Sequence, residues 1–164
     1  MRIFLLAALA TLATATLGSC AEPTATPDFI KKAARFSLYE VAAGKIAIEK
    51  GQSEPVKQFG RDVVEAHSKA AAEFKRIVQA ENIKAEMPRK PNKSRRESIG
   101  PLNAATPENF DKTFAEQQIK AYERAVELFE GYAEGGDNAA LKQFAANTLA
   151  TIKQHLEQAK TLPQ

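Results

Sequence analysis

The stretch Glu49-Lys50-Gly51-Gln52-Ser53-Glu54-Pro55-Val56 decides the fold. Gly51 closes one helical pattern, and two residues later a second one opens. Ser53 offers a capping hydroxyl, Glu54 an acid for the first turn, and Pro55 a residue that lacks the amide proton a first turn cannot use. Upstream, apolar or small residues recur at Phe29, Ala33, Phe36, Ala43 and Ala47, with a neighbouring row at Ile30, Ala34, Val41 and Ile48. Downstream the row is Val56, Gly60, Val63, Ala70, Phe74 and Ile77. Steps of three, four and seven make each run one face of a helix. Two helices joined by so short a break form an antiparallel hairpin.

The same punctuation recurs in the second half. Thr106-Pro107-Glu108 repeats the start signal, and Phe110, Phe114, Ala121, Ala125, Leu128 and Tyr132 form a third face. Gly135-Gly136 stops it. Asp137 is the expected cap of a fourth helix, with Leu141, Ala145, Thr148, Ile152, Ala159 and Leu162 inward. No alternating, strand-like run occurs. The expected helices are 28–51, 53–82, 107–134 and 137–162, with Asp28 capping the first. At 1.5 Å per residue each is about 35 to 43 Å long. The fold class is all-α, a four-helix bundle of two antiparallel hairpins. Between the hairpins lies a long connection, residues 83–105, with Pro88, Pro91 and Pro101, so it is not one long helix. Ser94 to Ile99 is long enough for a short helical turn. Composition leaves two paths open, a crossover back along the bundle, as in ferritin-like folds, and a loose loop at one end.

Polar residues interrupt the apolar stripes. Glu40 fills the step between Phe36 and Ala43, and His67 stands between Val63 and Ala70. Gln118 and Tyr122 sit one turn apart in the third stripe, and His155 lies between Ile152 and Ala159. These two histidines are the only ones in the chain. Buried acids and imidazoles cost several kcal/mol unless they are paired or bound. With a crossover, Glu40 and Gln118 fall about 17 Å from the first hairpin's end, His67 and Tyr122 about 23 Å, and His155 about 11 Å, so His155 is the least secure member. Glu40, His67, Gln118, Tyr122 and His155 are therefore read either as residues that do not meet or as a cluster with two meanings. One is a hydrogen-bonded polar layer that fixes helix register. The other is a site for zinc or a transition metal. A di-iron centre of the usual bundle type wants Glu-x-x-His pairs, and the chain has none.

The ends and totals bound where the protein works. An apolar run, Ile3 to Leu17, follows Arg2 and is about 15 residues long, the size of a signal-peptide core and short of the roughly 20 needed to cross a bilayer. It closes on Leu17-Gly18-Ser19-Cys20, which holds the one cysteine and resembles the lipid-attachment box of bacterial lipoproteins. In that reading residues 1–19 are removed, Cys20 is lipidated, and residues 20–27, rich in Pro and Thr, are a tether to a domain at 28–162. The alternative is ordinary cleavage before Glu22, which leaves a soluble periplasmic protein. Ala21 after the cysteine resembles the sorting pattern for the outer membrane. One cysteine cannot form an internal disulfide. Removing Arg2 leaves 22 basic against 20 acidic side chains, too even a balance to imply nucleic acid. Arg89, Lys90, Lys93, Arg95 and Arg96 form a basic stretch without interleaved aromatics. It reads first as a solvated linker and second as a contact for anionic headgroups or cell-wall polymers. Motifs for nucleophilic catalysis, phosphate binding and zinc proteolysis are absent.

Tyr39-Glu40-Val41-Ala42-Ala43-Gly44-Lys45, then Ser53-Glu54-Pro55-Val56-Lys57-Gln58-Phe59-Gly60, then Val64-Glu65-Ala66-His67 resembles the bacterial family called domain of unknown function 4142. Phe110-Asp111-Lys112-Thr113-Phe114 with Gln118 resembles its third-helix motif, and Leu149 to His155 its closing motif. The resemblance spans Asp28 to Leu162. It implies a ferritin-like bundle in the cell envelope with no established activity, and it puts Glu40, His67, Gln118 and His155 on positions where the family carries the same residue types. Two positions depart from it. Ala66 replaces the usual Asp, and Tyr122 replaces a usual histidine, which removes a potential ligand.

The expectation is thus an exported, lipid-anchored bundle of the periplasmic face, not an enzyme and without a cofactor, with a binding or stress-related role. Its alternative is a metal-binding or redox protein with a site in the bundle core. No tryptophan is present and no partner surface stands out.

Overall fold

A computed structural model of the chain describes residues 24–88 and 93–163, apart from the side chains of residues 93–96. Cys20, the leader, the tether as far as Pro23, Arg89 and Lys90 lie outside the described residues, as do the side chains of Lys93, Arg95 and Arg96. The helices are α1 Thr26–Lys50, α2 Glu54–Ala80, α3 Lys93–Ala104, α4 Pro107–Gly135 and α5 Ala139–Lys160. Among the described residues there is no strand and no helix long and apolar enough to cross a membrane.

Each long helix begins on the signals its sequence carries, with two corrections. α1 starts at Thr26, before Asp28, because Pro27 suits a first turn; Asp28 supplies first-turn charge and is not the cap. The cap of α5 is Asn138, whose side chain accepts from the Leu141 amide at 2.9 Å. Asp137 is drawn away to bond Thr26 and Tyr132. At the α1–α2 break the Ser53 side chain accepts from the Val56 amide at 3.4 Å. α2 ends with Asn82 in the left-handed region at φ 53°, a conformation its short polar side chain tolerates. The Asn82 amide then bonds the Gln79 carbonyl and the Ile83 amide the Val78 carbonyl, which closes the last turn.

Long-range contacts fix the topology. Phe29 stacks on Tyr132 at 3.8 Å between ring centroids, Tyr39 donates to Gln117 at 3.1 Å, and the Gln52 and Ser53 amides both donate to the Asp111 carboxylate. The start of α1 therefore meets the end of α4, and the two run antiparallel. Phe59 packs on Phe114, and Phe74 on Phe144, so α2 runs parallel to α4 and antiparallel to α5. Around the bundle the order is α1, α2, α5, α4. Since α2 ends where α1 begins, the connection must travel the length of the bundle before α4 starts beside the α1–α2 turn. It is a crossover, and α3 is its helical part, packed on α1 and α4.

α3 is longer than the turn expected over Ser94 to Ile99. It continues through Pro101 to Ala104. Leu102 is fully buried, and Lys50 Nζ donates to the Asn103 carbonyl at 2.8 Å, which together hold the turn that Pro101 weakens.

α1 and α2 cross closely. A Cβ on Gly44 would lie 2.8 Å from the Gly60 carbonyl oxygen and 2.9 Å from Val64 Cγ2, and one on Gly60 would lie 2.8 Å from the Gly44 carbonyl oxygen. Only two glycines permit that approach. The core mixes aliphatic side chains with many aromatic ones: Phe29, Phe36, Phe59, Phe74, Phe110, Phe114, Phe129 and Phe144 are all buried.

Candidate functional site

The polar cluster lies at mid-bundle, one residue from each long helix. Glu40 of α1, His67 of α2, Tyr122 of α4 and His155 of α5 are all at most 5% exposed. The Tyr122 Oη stands between the imidazoles, 3.0 Å from His67 Nε2 and 3.1 Å from His155 Nδ1. His155 is therefore a full member, closer to the others than turn-counting suggests. The Glu40 carboxyl group faces the same phenol and acts on its ionisation. Gln118, one turn before Tyr122, is completely buried, and its amide oxygen and nitrogen have no hydrogen-bond partner among the described residues. The structure gives it no bond to the other four.

Phe36 and Phe59 wall the cluster. Phe36 meets His67 edge-on at 5.0 Å and Tyr122 at 5.6 Å; Phe59 meets His155 at 5.8 Å and Tyr122 at 6.3 Å. Phe36 lies one turn before Glu40, so the apolar row that carries Glu40 also supplies part of its wall. Phe59 stands beside the row read from the sequence, next to Gly60, and was not legible as part of the site.

Burial sets the charge state. It lowers the pKa of His67 to about 3, helped by the neighbouring His155. It also lowers that of His155, against the opposing negative charge of Asp62. Burial, then the charge and hydrogen bonding of Glu40, push the Tyr122 phenol well above its ordinary value. Both imidazoles are thus neutral and the phenol protonated at neutral pH. A phenol offers one donor and two acceptors. It can therefore bridge the two imidazoles, with the direction of each bond set by the histidine tautomers, while Glu40 acts on it from beside. Asp62 also lines a groove of about 420 Å³ between α2 and α5, with Glu65, Glu73 and Lys69, and His67 forms part of its floor.

Neutral imidazole nitrogens are the form that binds metals. Two converge here on a phenol oxygen. A metal ion held between them would have to take that oxygen as a ligand, displace its proton against the upward push on its pKa, and draw Glu40 in as the fourth donor. Among the described residues no group of three or more His, Cys, Asp or Glu is placed to hold a metal, so the phenol is needed to complete any set.

The sequence profile of the family described as domain of unknown function (DUF4142) matches residues 11–162. The chain is a member of the DUF4142 family. No curated protein matches it. Among solved structures it is similar to one titled "CopM in the Cu(II)-bound form", at 16% identity and a TM-score of 0.70, covering 84% of this chain and 94% of that one. At that identity the likeness concerns the fold, and it agrees with the helical bundle built above.

Proposed function

We propose that this DUF4142 member is an exported, lipid-anchored helical bundle of the bacterial envelope with a non-catalytic binding or stress-related role, its interior cluster serving as a polar layer that locks the helices in register. The supporting observation is the ionisation of the cluster. His67 titrates near 3 and Tyr122 well above its ordinary range, so neither exchanges a proton at neutral pH as a general acid or base must. The Leu17-Gly18-Ser19-Cys20 box and the Pro- and Thr-containing segment after it support the anchor, and Ala21 after the cysteine supports the outer-membrane destination.

A second reading keeps the same fold and gives the cluster a metal. It rests on the two neutral imidazoles that meet at Tyr122 Oη, and on the likeness in fold to a protein solved with Cu(II). His67, His155, Tyr122 and Glu40 would be the ligands of copper, zinc or another transition metal.

One preparation tests both readings. Protein isolated from its native envelope is analysed by intact mass and by elemental composition. The first reading expects an acylated Cys20 and no stoichiometric metal. An unmodified start at Glu22 rejects the anchor. About one copper or zinc per chain, lost in a folded His67→Gln variant, rejects the structural layer in favour of the metal site.

A further inference from the structure

The cluster leaves one feature of the surface unused. α1 and α4 lie side by side and antiparallel, and a groove of about 680 Å³ runs between them. That is within the roughly 300–1,000 Å³ of sites that hold small ligands. Lys32 and Arg35, one turn apart on α1, form one wall. Lys120 and Arg124, one turn apart on α4, form the other. Against these four cations the groove has a single acid, Glu127. Ser98 and Pro101 of the crossover helix close one end.

We propose that this groove binds a small anion carrying two or more phosphate groups. Like charges spaced one turn apart on a helix destabilise it, and here two such pairs face each other. Among the described residues none of the four cations makes a salt bridge or a side-chain hydrogen bond. Arg35 is part-buried, and no acceptor among the described residues meets its guanidinium group. Four cations without a counter-ion around one groove suit a multidentate oxyanion, and phosphate, with several oxygens on one group, supplies it to arginine and lysine alike. Cations on both walls call for anionic groups at both ends of the ligand. Gln117, whose side-chain oxygen is held by Tyr39, leaves its amide N–H₂ as a neutral donor beside them.

The phosphate can belong to a soluble compound or to a lipid headgroup, and the test separates them. The full chain carrying Cys20→Ser, which takes any attached acyl group out of the comparison, is titrated with pyrophosphate by calorimetry. It is also tested for co-sedimentation with vesicles containing cardiolipin, whose headgroup carries two phosphates, and with phosphatidylcholine vesicles. The comparison variants are Arg35→Gln/Arg124→Gln and, for the same loss of charge elsewhere, Lys75→Gln/Arg76→Gln. The expected result is saturable binding that weakens about tenfold or more in the groove variant and changes little in the control. Binding of pyrophosphate assigns the groove to a soluble phosphate. Binding of cardiolipin vesicles alone, with the same dependence on Arg35 and Arg124, assigns it to a headgroup. The proposal is overturned if neither probe binds, or if the two double variants lose binding equally.

Discussion

Two imidazoles that share one phenol oxygen make the acid side of the stability curve steep. His67 and His155 titrate near their ordinary value of about 6.5 in the unfolded chain, and lower in the fold because burial disfavours their charged forms. Below about pH 6.5 the unfolded state therefore binds more protons than the folded one, and stability falls as the pH falls. For His67 the window runs from about 6.5 down to about 3. Over pH 7 to 5, where few carboxylates titrate, His67 alone should remove about 2 kcal/mol. The urea midpoint should drop accordingly, and His67→Gln should flatten the drop to the part that belongs to His155. An unchanged midpoint between pH 7 and 5, or an equal slope in the variant, would show that the cluster is not neutral and buried. The members of this cluster were legible because polar residues standing in apolar stripes must find partners. Tyr122 as its hub was not. Spacing placed it one turn from Gln118 without distinguishing the two, and the side chain that meets the imidazoles is the one long enough to reach across the core. Asp62 carried no signal at all, since its effect on His155 depends on how α2 faces α5.

Among the helices, the α1–α2 hairpin rests on a backbone approach that two glycines allow. Alanine in a helix interior is ordinarily worth up to about 1 kcal/mol over glycine. At Gly44 and Gly60 the new methyl would press on a backbone carbonyl at 2.8 Å, which cannot yield without parting the helices. Overpacking of that kind costs about 1 to 3 kcal/mol and should outweigh the propensity gain. Gly131 of α4 is exposed and a Cβ there meets nothing within 4 Å. Gly131→Ala should therefore stabilise the protein by about 0.5 to 1 kcal/mol, while Gly44→Ala and Gly60→Ala destabilise it, all read from urea melts. A stabilising Gly44→Ala would mean that the hairpin is looser than this crossing. Apolar periodicity located the inward face of α2, Gly60 included, but gave no reason for a glycine there. The reason is a distance to another helix, and periodicity on one helix holds no such distance. The same limit explains why Phe59, Phe129 and Phe144 were passed over as core. They flank the rows that were read, and the buried arc of each helix is wider than one row.

At the scale of the molecule, the path of the crossover was the part composition left open. Pro88, Pro91 and Pro101 exclude one long helix and say nothing of direction. Direction comes from pairs far apart in sequence, Thr26 with Tyr132 and Asp137 at one end, the Gln52 and Ser53 amides with Asp111 at the other. These ties clamp the hairpins antiparallel along α1 and α4, and the cluster adds one residue from each long helix at the middle. α1, α2, α4 and α5 should then open together, and α3 should not belong to that unit. Leu102 is its one fully buried residue among those whose side chains are described, and burial of a leucine is worth about 1.5 to 3 kcal/mol. Native-state hydrogen exchange at low denaturant tests this division. Amides in the middle of the four long helices should exchange with one free energy, near that of global unfolding. Those of α3 should exchange through a separate opening that lies at least about 2 kcal/mol lower. Leu102→Ala should bring the α3 amides close to free exchange and leave the order among the other four helices unchanged. If α3 were protected as well as α4, it would be part of the core unit. If α4 and α5 exchanged well ahead of α1 and α2, the hairpins would be separate units, and neither the central cluster nor the end clamps would couple them.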